Sequence, residues 1–393
     1  MSICQTKLPL LKGKRILQVL PSLGQGGVER GTLEVAQAIQ QAQGHAWVAS
    51  NSGPLVDNLI KIKAQHCHLP LKSKNPFTIF LNIYRLYKLI RQEKIDLIHA
   101  RSRAPAWSAF WAARLAGIPF MTTFHGSYNF TNFLKKYYNS VMVRGNTVIA
   151  ISTYIYDHIL KNYQNYRQSN QITIIPRGVD LDVFNKNDPT LLKRIQRLKT
   201  KWQIDENYPI ILLVGRLTRW KGQETALKSL GFLKNFKGIL VCLGSDQGRI
   251  SYLESLKTLA KSLDIQNRVY FIPTCDDMPA AYAMADLALH TSTDPEAFGR
   301  TIIEAQSMGK CVIATAHGAP VDIIQEGITG YLIAPQDPQK LANSIQHYFT
   351  LSSQEKENIS RAAFDRIKSL FSKDQMMEKT LKVYQDLLQK GKS

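Results

Sequence analysis

Short apolar runs alternate with stretches of helical periodicity along almost the whole chain. RILQVLPSL (15–23) predicts a first strand, which runs into GQGG. Val28, Leu33, Val35, Ala36 and Ile39 then recur at helical spacing, and Gly44 stops the helix. HAWVAS (45–50), CHLPL, IDLIHARS (95–102), FMTTFHG (120–126), NTVIAIS (146–152) and ITIIPRG (172–178) predict further strands. The stretch 76–93 opens on a proline and carries apolar and basic residues at helical spacing. After GVDLDVF (178–184) the pattern breaks, and the polar residues 186–208, with one helical stretch, predict a linker. The alternation restarts with PIILLVGRL (209–217) and continues through GILVCLGS (238–245), VYFIPT (269–274), LALHTS (287–292), CVIATA (311–316) and GYLIAP (330–335). Two charged amphipathic helices over 352–391 end it. Repeated strand–helix alternation predicts an α/β fold: two successive domains, 1–185 and 209–369, each a parallel sheet covered on both faces.

The chain's 393 residues suit two domains with separate cores. Hydrophobic residues at 44% and charged residues at 20% exclude a disordered or collagenous chain. No apolar run is long enough for a spanning helix, and the start has no signal-peptide pattern. Five scattered cysteines without a CxxC argue against a disulfide framework or zinc site, so a reducing cytoplasm is expected. Cys242, inside ILVCLG, reads as a small buried hydrophobe. The charge is unusual. Lys plus Arg number 50 against 30 Asp plus Glu, a net +20. Residues 1–185 hold 22 basic and 8 acidic residues, a net +14. Such asymmetry points to an anionic partner of the first half: a membrane surface, a nucleic acid or a phosphorylated substrate.

Ligands of open α/β sheets bind at the carboxyl ends of strands, so the loops that follow strands carry the candidate chemistry. Gly24, Gly26 and Gly27 precede a helix whose N-terminus can receive an anion. Glu29 stands where a dinucleotide fingerprint needs glycine, and the second strand ends in Ser50-Asn51-Ser52 rather than an acid, which argues against NAD. In GRLTRWKG (215–222), Arg216 and Lys221 can converge on one anion, the arginine by planar hydrogen bonding and the lysine as a point charge. In DPEAFGRTIIEAQSMGK (294–310), the backbone around Phe298, Gly299, Arg300 and Thr301 opens a helix and is a second anion site. Glu304 on that helix is placed for ribose hydroxyls, and Glu296 before it for sugar hydroxyls. His125 in FHG can donate to a sugar hydroxyl or steady a reacting centre, and Arg177 in IPRGVD is a further cation at a strand end.

Taken together, GQGGVER, TTFHG, IPRGVDLDVF, VGRLTRWKG and EAFGRTIIEA resemble, in order, the motifs of the family 4 retaining glycosyltransferases of the GT-B fold. The resemblance implies two Rossmann-like domains facing across a cleft. The C-terminal one would hold a nucleotide-sugar and the N-terminal one the acceptor, with a last helix, about 370–393, returning to the N-terminal domain. It implies that Arg216 and Lys221 neutralise the donor diphosphate, Glu304 binds ribose and Glu296 meets the transferred sugar. Gly26 and Gly27 would close over phosphate or acceptor, and His125 would be the active-site histidine. Arg177 stands where many relatives carry Asn, and GSDQGR (244–249) replaces the common G-x-G-P loop. SRAPAW (102–107) with Tyr128-Asn129 resembles a bacterial subgroup that builds envelope polysaccharide or lipopolysaccharide.

The expected reaction is transfer of a hexosyl group from the nucleotide-sugar to a saccharide or lipid-linked acceptor with retention. His125, Glu296, Arg216 and Lys221 are the catalytic candidates. No DxD-type site is evident, and Asp276-Asp277 reads as a helix cap, so neither a cofactor nor an obligatory metal is expected. Basic amphipathic stretches suit an anionic membrane surface, which would make the protein peripheral on the cytoplasmic face of the inner membrane. The first is 77–91, with Phe77, Phe80, Ile83, Tyr84 and Tyr87; the second is 130–144, with Phe130, Phe133, Tyr137 and Val141. Two alternatives stand beside this reading: a nucleotide-sugar epimerase of the same architecture, and a basic nucleic-acid-binding protein. The second lacks a recognition module and leaves the paired glutamates unexplained, so no nucleic acid is expected.

Overall fold

The structure is a computed structural model. It describes residues 10–24, 26–128, 130–166, 171–205 and 208–390. Thirteen strands form, twelve of them within the predicted runs, give or take one residue, and the third, QHCH, starting two residues ahead of the expected CHLPL. The first seven are β1 (Arg15–Ser22), β2 (His45–Asn51), β3 (Gln65–His68), β4 (Leu97–Ala100), β5 (Phe120–Phe124), β6 (Thr147–Ala150) and β7 (Gln171–Ile174). They make one sheet in the order β3-β2-β1-β4-β5-β6-β7, parallel throughout. The other six are β8 (Ile210–Val214), β9 (Ile239–Leu243), β10 (Val269–Ile272), β11 (Leu287–His290), β12 (Cys311–Thr315) and β13 (Tyr331–Ile333). They make a second parallel sheet in the order β10-β9-β8-β11-β12-β13. Strands such as ILVCL (β9) and CVIAT (β12) are buried along their whole length, because helices cover both faces of a parallel sheet.

In each sheet the chain builds outward in one direction, then returns to the first strand and builds the other way. The reversal falls between β1 and β4 in the first sheet and between β8 and β11 in the second. At such a reversal the loops leave in opposite directions and open a crevice at the carboxyl edge.

The chain divides into two compact units. One runs to Pro176 and takes back the chain from Asp374; the other is Arg177–Lys373. This corrects the sequence-based boundaries. Residues 186–208 are not a free linker but belong to the second unit. Helix Leu191–Trp202 buries Leu191, Leu198 and Trp202, and Arg194 clasps Asp277 with two hydrogen bonds, at 2.8 and 2.5 Å. The boundary falls earlier because Val179 bridges to Ser372: Val179 N–H donates to Phe371 and Lys373 N–H donates to Val179. Asp180 also pairs with Lys373, and a Cβ on Gly178 would run into the Lys373 backbone. Helix Lys373–Lys390 then packs on the first unit through Met376, Met377, Leu381, Tyr384 and Leu387. Among the described residues no helix is long and apolar enough to cross a membrane.

Cys242 and Cys311 are buried, and burial pushes each thiol up to about 12, so both remain protonated, inert fillers at neutral pH. Cys4 lies outside the described residues.

Candidate active site

The second unit's crevice is built from the loops after β8 and β11. The loop after β8 is held against the end of β9: Gly215 N–H donates to Leu243, and Leu217 N–H to Ser245. Residues Arg219–Lys221 make one tight turn that ends at Gly222, whose φ of +71° lies in the left-handed region. A Cβ there would also collide with the Thr291 carbonyl, so glycine is required twice over. The approach has a purpose: Thr291 Oγ1 donates to the Lys221 and Gly222 carbonyls, at 3.1 and 3.0 Å, and Thr293 N–H donates to Trp220 at 2.8 Å. The two loops are thereby tied edge to edge.

That tie places Lys221 beside Glu296. Lys221 Nζ bonds Glu296 Oε2, and both side chains are largely buried. His290 Nε2 and Ser292 Oγ each reach the same oxygen at 3.2 Å. Burial alone would raise the Glu296 pKa, but the His290 hydrogen bond and the Lys221 charge outweigh it and hold the carboxyl well below the usual range. The carboxylate is therefore ionised at any physiological pH. Its backbone is pinned too: Glu296 N–H donates to His317, and Ala319 N–H donates to Glu296. Trp220 gathers the cations, with Lys221 Nζ 4.2 Å and the Arg216 guanidinium 5.8 Å from its ring centre. Arg216 is exposed and makes no side-chain hydrogen bond or ion pair among the described residues, so its donors face solvent.

Three residues on, Gly299 turns the chain at φ +98° and helix Arg300–Ser307 begins without a side-chain cap. Phe298 is buried with its ring 6.1 Å from Phe371, which anchors the turn. Thr301 Oγ1 is buried with no hydrogen bond among the described residues, a polar group left waiting at a helix start. Glu304 forms a neighbouring cluster: Arg300 Nη2 lies 3.3 Å from Oε1, and the Tyr282 hydroxyl donates to Oε2 at 3.0 Å. Burial and this carboxylate push the Tyr282 phenol well up, so it stays a donor. Lys221 and Glu296 are thus brought together directly, Arg216 joins them only through the Trp220 ring, and Glu304 lies along the helix that Glu296's loop feeds. Among the described residues, no group of three or more His, Cys, Asp or Glu side chains is placed to hold a metal. Arg249 of GSDQGR lines a cavity of about 470 Å³ beside Arg219, Trp220 and Tyr252. A larger one, about 590 Å³, lies under helix Lys373–Lys390 and holds none of the predicted site residues.

In the first unit His125 follows β5 in a half-buried loop. Tyr128 braces that loop: its ring lies 4.3 Å from Phe124 and 4.1 Å from the Arg103 guanidinium. Burial, partly offset by Arg103, pushes the Tyr128 phenol up to about 12. Arg103 opens helix Arg103–Ala116 and donates to Asn139 at 2.9 Å, so SRAPAW and Tyr128 act together as one strut; Asn129 lies outside the described residues. Gly26 and Gly27 open helix Gly27–Gln41, and a Cβ on Gly26 would run into the Glu29 carboxylate. An acid already stands at that helix start, which weakens it as a phosphate cradle. Arg177 opens the second unit and is buried, 9% exposed, rather than presented as a free cation.

Sequence reasoning missed His290, Ser292, Trp220 and Tyr282. His290 and Ser292 sit in LALHTS, where polar residues end an apolar strand at the reversal point, and that position is a usable signal. The i,i+4 spacing of Arg300 and Glu304 is another.

Comparison with known proteins gives a consistent result. Residues 25–183 match the family described as Glycosyltransferase Family 4, and residues 194–366 match Glycosyl transferases group 1. The chain is similar to a crystal structure of a glycosyltransferase from Rickettsia africae ESF-5, with 36% identity and a TM-score of 0.89, covering 96% of this chain and 99% of that one. Its fold is also that of Anabaena Alr3699/HepE in complex with UDP-glucose, at 22% identity and a TM-score of 0.80, covering 95% and 99%. Over 216 residues it is 29% identical to D-inositol 3-phosphate glycosyltransferase of Mycobacterium tuberculosis (strain ATCC 25618 / H37Rv). That match spans 54% of this chain and 43% of the relative, less than half the relative's length.

Proposed function

The chain belongs to the family 4 glycosyltransferases of the GT-B fold, and from that premise we propose that it moves a hexosyl group from a nucleotide-sugar to a saccharide or lipid-linked acceptor with retention of configuration. The observation that carries this reading is the Arg216–Trp220–Lys221–Glu296 cluster at the β8/β11 reversal. Two cations stand where a diphosphate leaves, and an ionised carboxylate stands beside them where a sugar hydroxyl can donate. Negative charge grows on the diphosphate as the glycosidic bond breaks. Once the donor is bound, the cations and the uncapped start of helix Arg300–Ser307 stabilise that charge. Glu304, oriented by Tyr282, is the ribose acceptor, and His125 acts at the reacting centre. Glu296 is already engaged by three donors, so it binds and orients rather than attacking. Substitution on the face the diphosphate vacates is then the route to retention. Arg216 and Lys221 supply the positive charge, so no obligatory metal is required. The second unit serves the donor and the first the acceptor.

The same reading places the first unit against an anionic membrane on the cytoplasmic face. Helices Pro76–Gln92, Arg103–Ala116 and Phe133–Asn139 adjoin: Ser108 Oγ donates to Ile79, and Trp107 Nε1 to Tyr138. They expose Phe77, Phe80, Tyr84, Phe133, Leu134 and Tyr137, whereas the expected Val141 is buried. Residues 71–145 hold 12 basic and 2 acidic side chains. Lipopolysaccharide or another envelope glycan is the fitting product class.

Thermal shift with UDP, GDP and ADP sugars tests the donor: a ligand at a hundredfold excess over Kd stabilises by about 2.7 kcal/mol. NMR of the product fixes the anomeric outcome, and inversion rejects the mechanism. Interconversion of the free nucleotide-sugar without acceptor would instead make the protein an epimerase.

A further inference from the structure

The hydrogen bonds of Glu296 are distributed unevenly. Oε2 takes Lys221 Nζ, His290 Nε2 and Ser292 Oγ, while Oε1 has no hydrogen bond among the described residues. Lys221 has two claimants. In the reading above it meets a diphosphate, yet here its ammonium is spent on Glu296. A diphosphate brings more negative charge than one carboxylate, so its arrival draws Lys221 away. Glu296, with its side chain only 15% exposed, would then lose its cation inside a poorly solvated site. Burial would favour the protonated form, which is a poor acceptor for a sugar hydroxyl.

His290 is built to prevent this. It ends β11, is 3% exposed, and aims Nε2 at Glu296. Its Nδ1 is buried with no hydrogen bond among the described residues. The tautomer carrying hydrogen on Nε2 therefore leaves no stranded N–H and commits the ring as a donor to the carboxylate. Ser292 supplies the second donor from the adjoining loop.

We propose that His290, with Ser292, is a positioning residue that holds Glu296 Oε2 and keeps Oε1 free for the sugar while Lys221 is handed from Glu296 to the diphosphate of the incoming donor. Donor binding is then a two-step event: the diphosphate takes the ammonium, and the carboxylate so released remains in place to receive the sugar. The inference rests on the donor reading above and has His290 act on the sugar through Glu296.

The experiment compares wild type, His290→Leu and His290→Gln by calorimetry and steady-state kinetics, with UDP, GDP and ADP and their glucose and mannose derivatives as probes. Gln carries an N–H donor near the position of Nε2; Leu carries none. His290→Leu is expected to bind the free diphosphate within about twofold of wild type. It should bind the nucleotide-sugar about tenfold more weakly and turn over about 100-fold more slowly, the scale of a lost hydrogen bond to a charged group. His290→Gln should recover both to within about threefold. Diphosphate and nucleotide-sugar affinities falling together in both variants would show a merely structural histidine and overturn the proposal. So would a leucine variant that matches wild type. Wild-type protein that binds no diphosphate at all removes the donor site itself, a different failure that needs no variant to see.

Discussion

The two sheets share one topology and use it differently. At the β1/β4 reversal the polar groups turn inward. Arg101 follows β4, is 5% exposed, and donates to Gln18 at 3.4 Å; burial pulls its pKa down, with Tyr384 and Glu34 opposing. His99, fully buried, bridges the Tyr384 hydroxyl and Thr123 Oγ1, both at 2.7 Å. That network fastens the returning helix Lys373–Lys390 to the sheet. At the β8/β11 reversal Arg216 is left exposed, and Glu296 keeps an open oxygen. On the proposed reading, the same crevice-forming geometry serves cohesion in one unit and donor chemistry in the other. Topology says where a ligand can bind; only the side chains say whether one does.

The comparison can be broken at either end. The largest effect is expected from Arg216→Ala or Lys221→Ala, each lowering kcat by about 10²–10³, as for a lost oxyanion donor. The exposed Arg216 should leave Tm little changed, whereas Lys221→Ala also strips the largely buried Glu296 of its ion pair and lowers Tm. A loss of folding with no loss of nucleotide affinity per folded molecule would put these residues on the cohesive side. Asp277→Asn comes next, costing about 2 kcal/mol of stability near neutral pH through the Arg194 clasp. The Asp277 carboxyl is held below its ordinary range, chiefly by the Arg194 hydrogen bond. Its contribution is therefore complete above the ordinary carboxylate pKa and drains away as pH falls through the lowered one. The gap between wild type and Asp277→Asn in denaturant melts should close under acid.

Tyr384→Phe should cost about 1–2 kcal/mol by stranding one nitrogen of His99, while nucleotide affinity stays as it was. A selective fall in nucleotide affinity would erase the contrast between the two reversals. Smallest is Lys135→Gln, expected to weaken flotation on anionic vesicles about fivefold at low salt, near the 1 kcal/mol of one basic residue at such a surface, and not at high salt. Equal binding to neutral vesicles would remove the electrostatic part.

Most strands were legible because a strand buried on both faces must be largely apolar, as in FMTTF, TVIA, ILVCL and CVIAT; β3, QHCH at the sheet edge, is polar and was the least legible. Arg216, Lys221 and Glu296 were legible because each lies just past the end of a strand, in a glycine-punctuated loop. The unit boundary was not, since residues 177–180 pair with 371–373 and local composition does not carry a contact so distant in the chain. Polar residues 186–208 imitated a linker because the buried positions of their helix, Leu191, Leu198 and Trp202, are outnumbered by its charged and polar ones. His290 escaped notice because its meaning depends on Glu296 folding back over the strand end, a tertiary fact.

The most direct test of the central claim is calorimetric titration of the intact protein with UDP, GDP and ADP, in chelator, for wild type and the Arg216→Ala/Lys221→Ala pair. The account predicts that wild type binds at least one of the three and that the double variant, compared per folded molecule, loses that affinity by 100-fold or more. A double variant that binds the same nucleotide as tightly as wild type would contradict it.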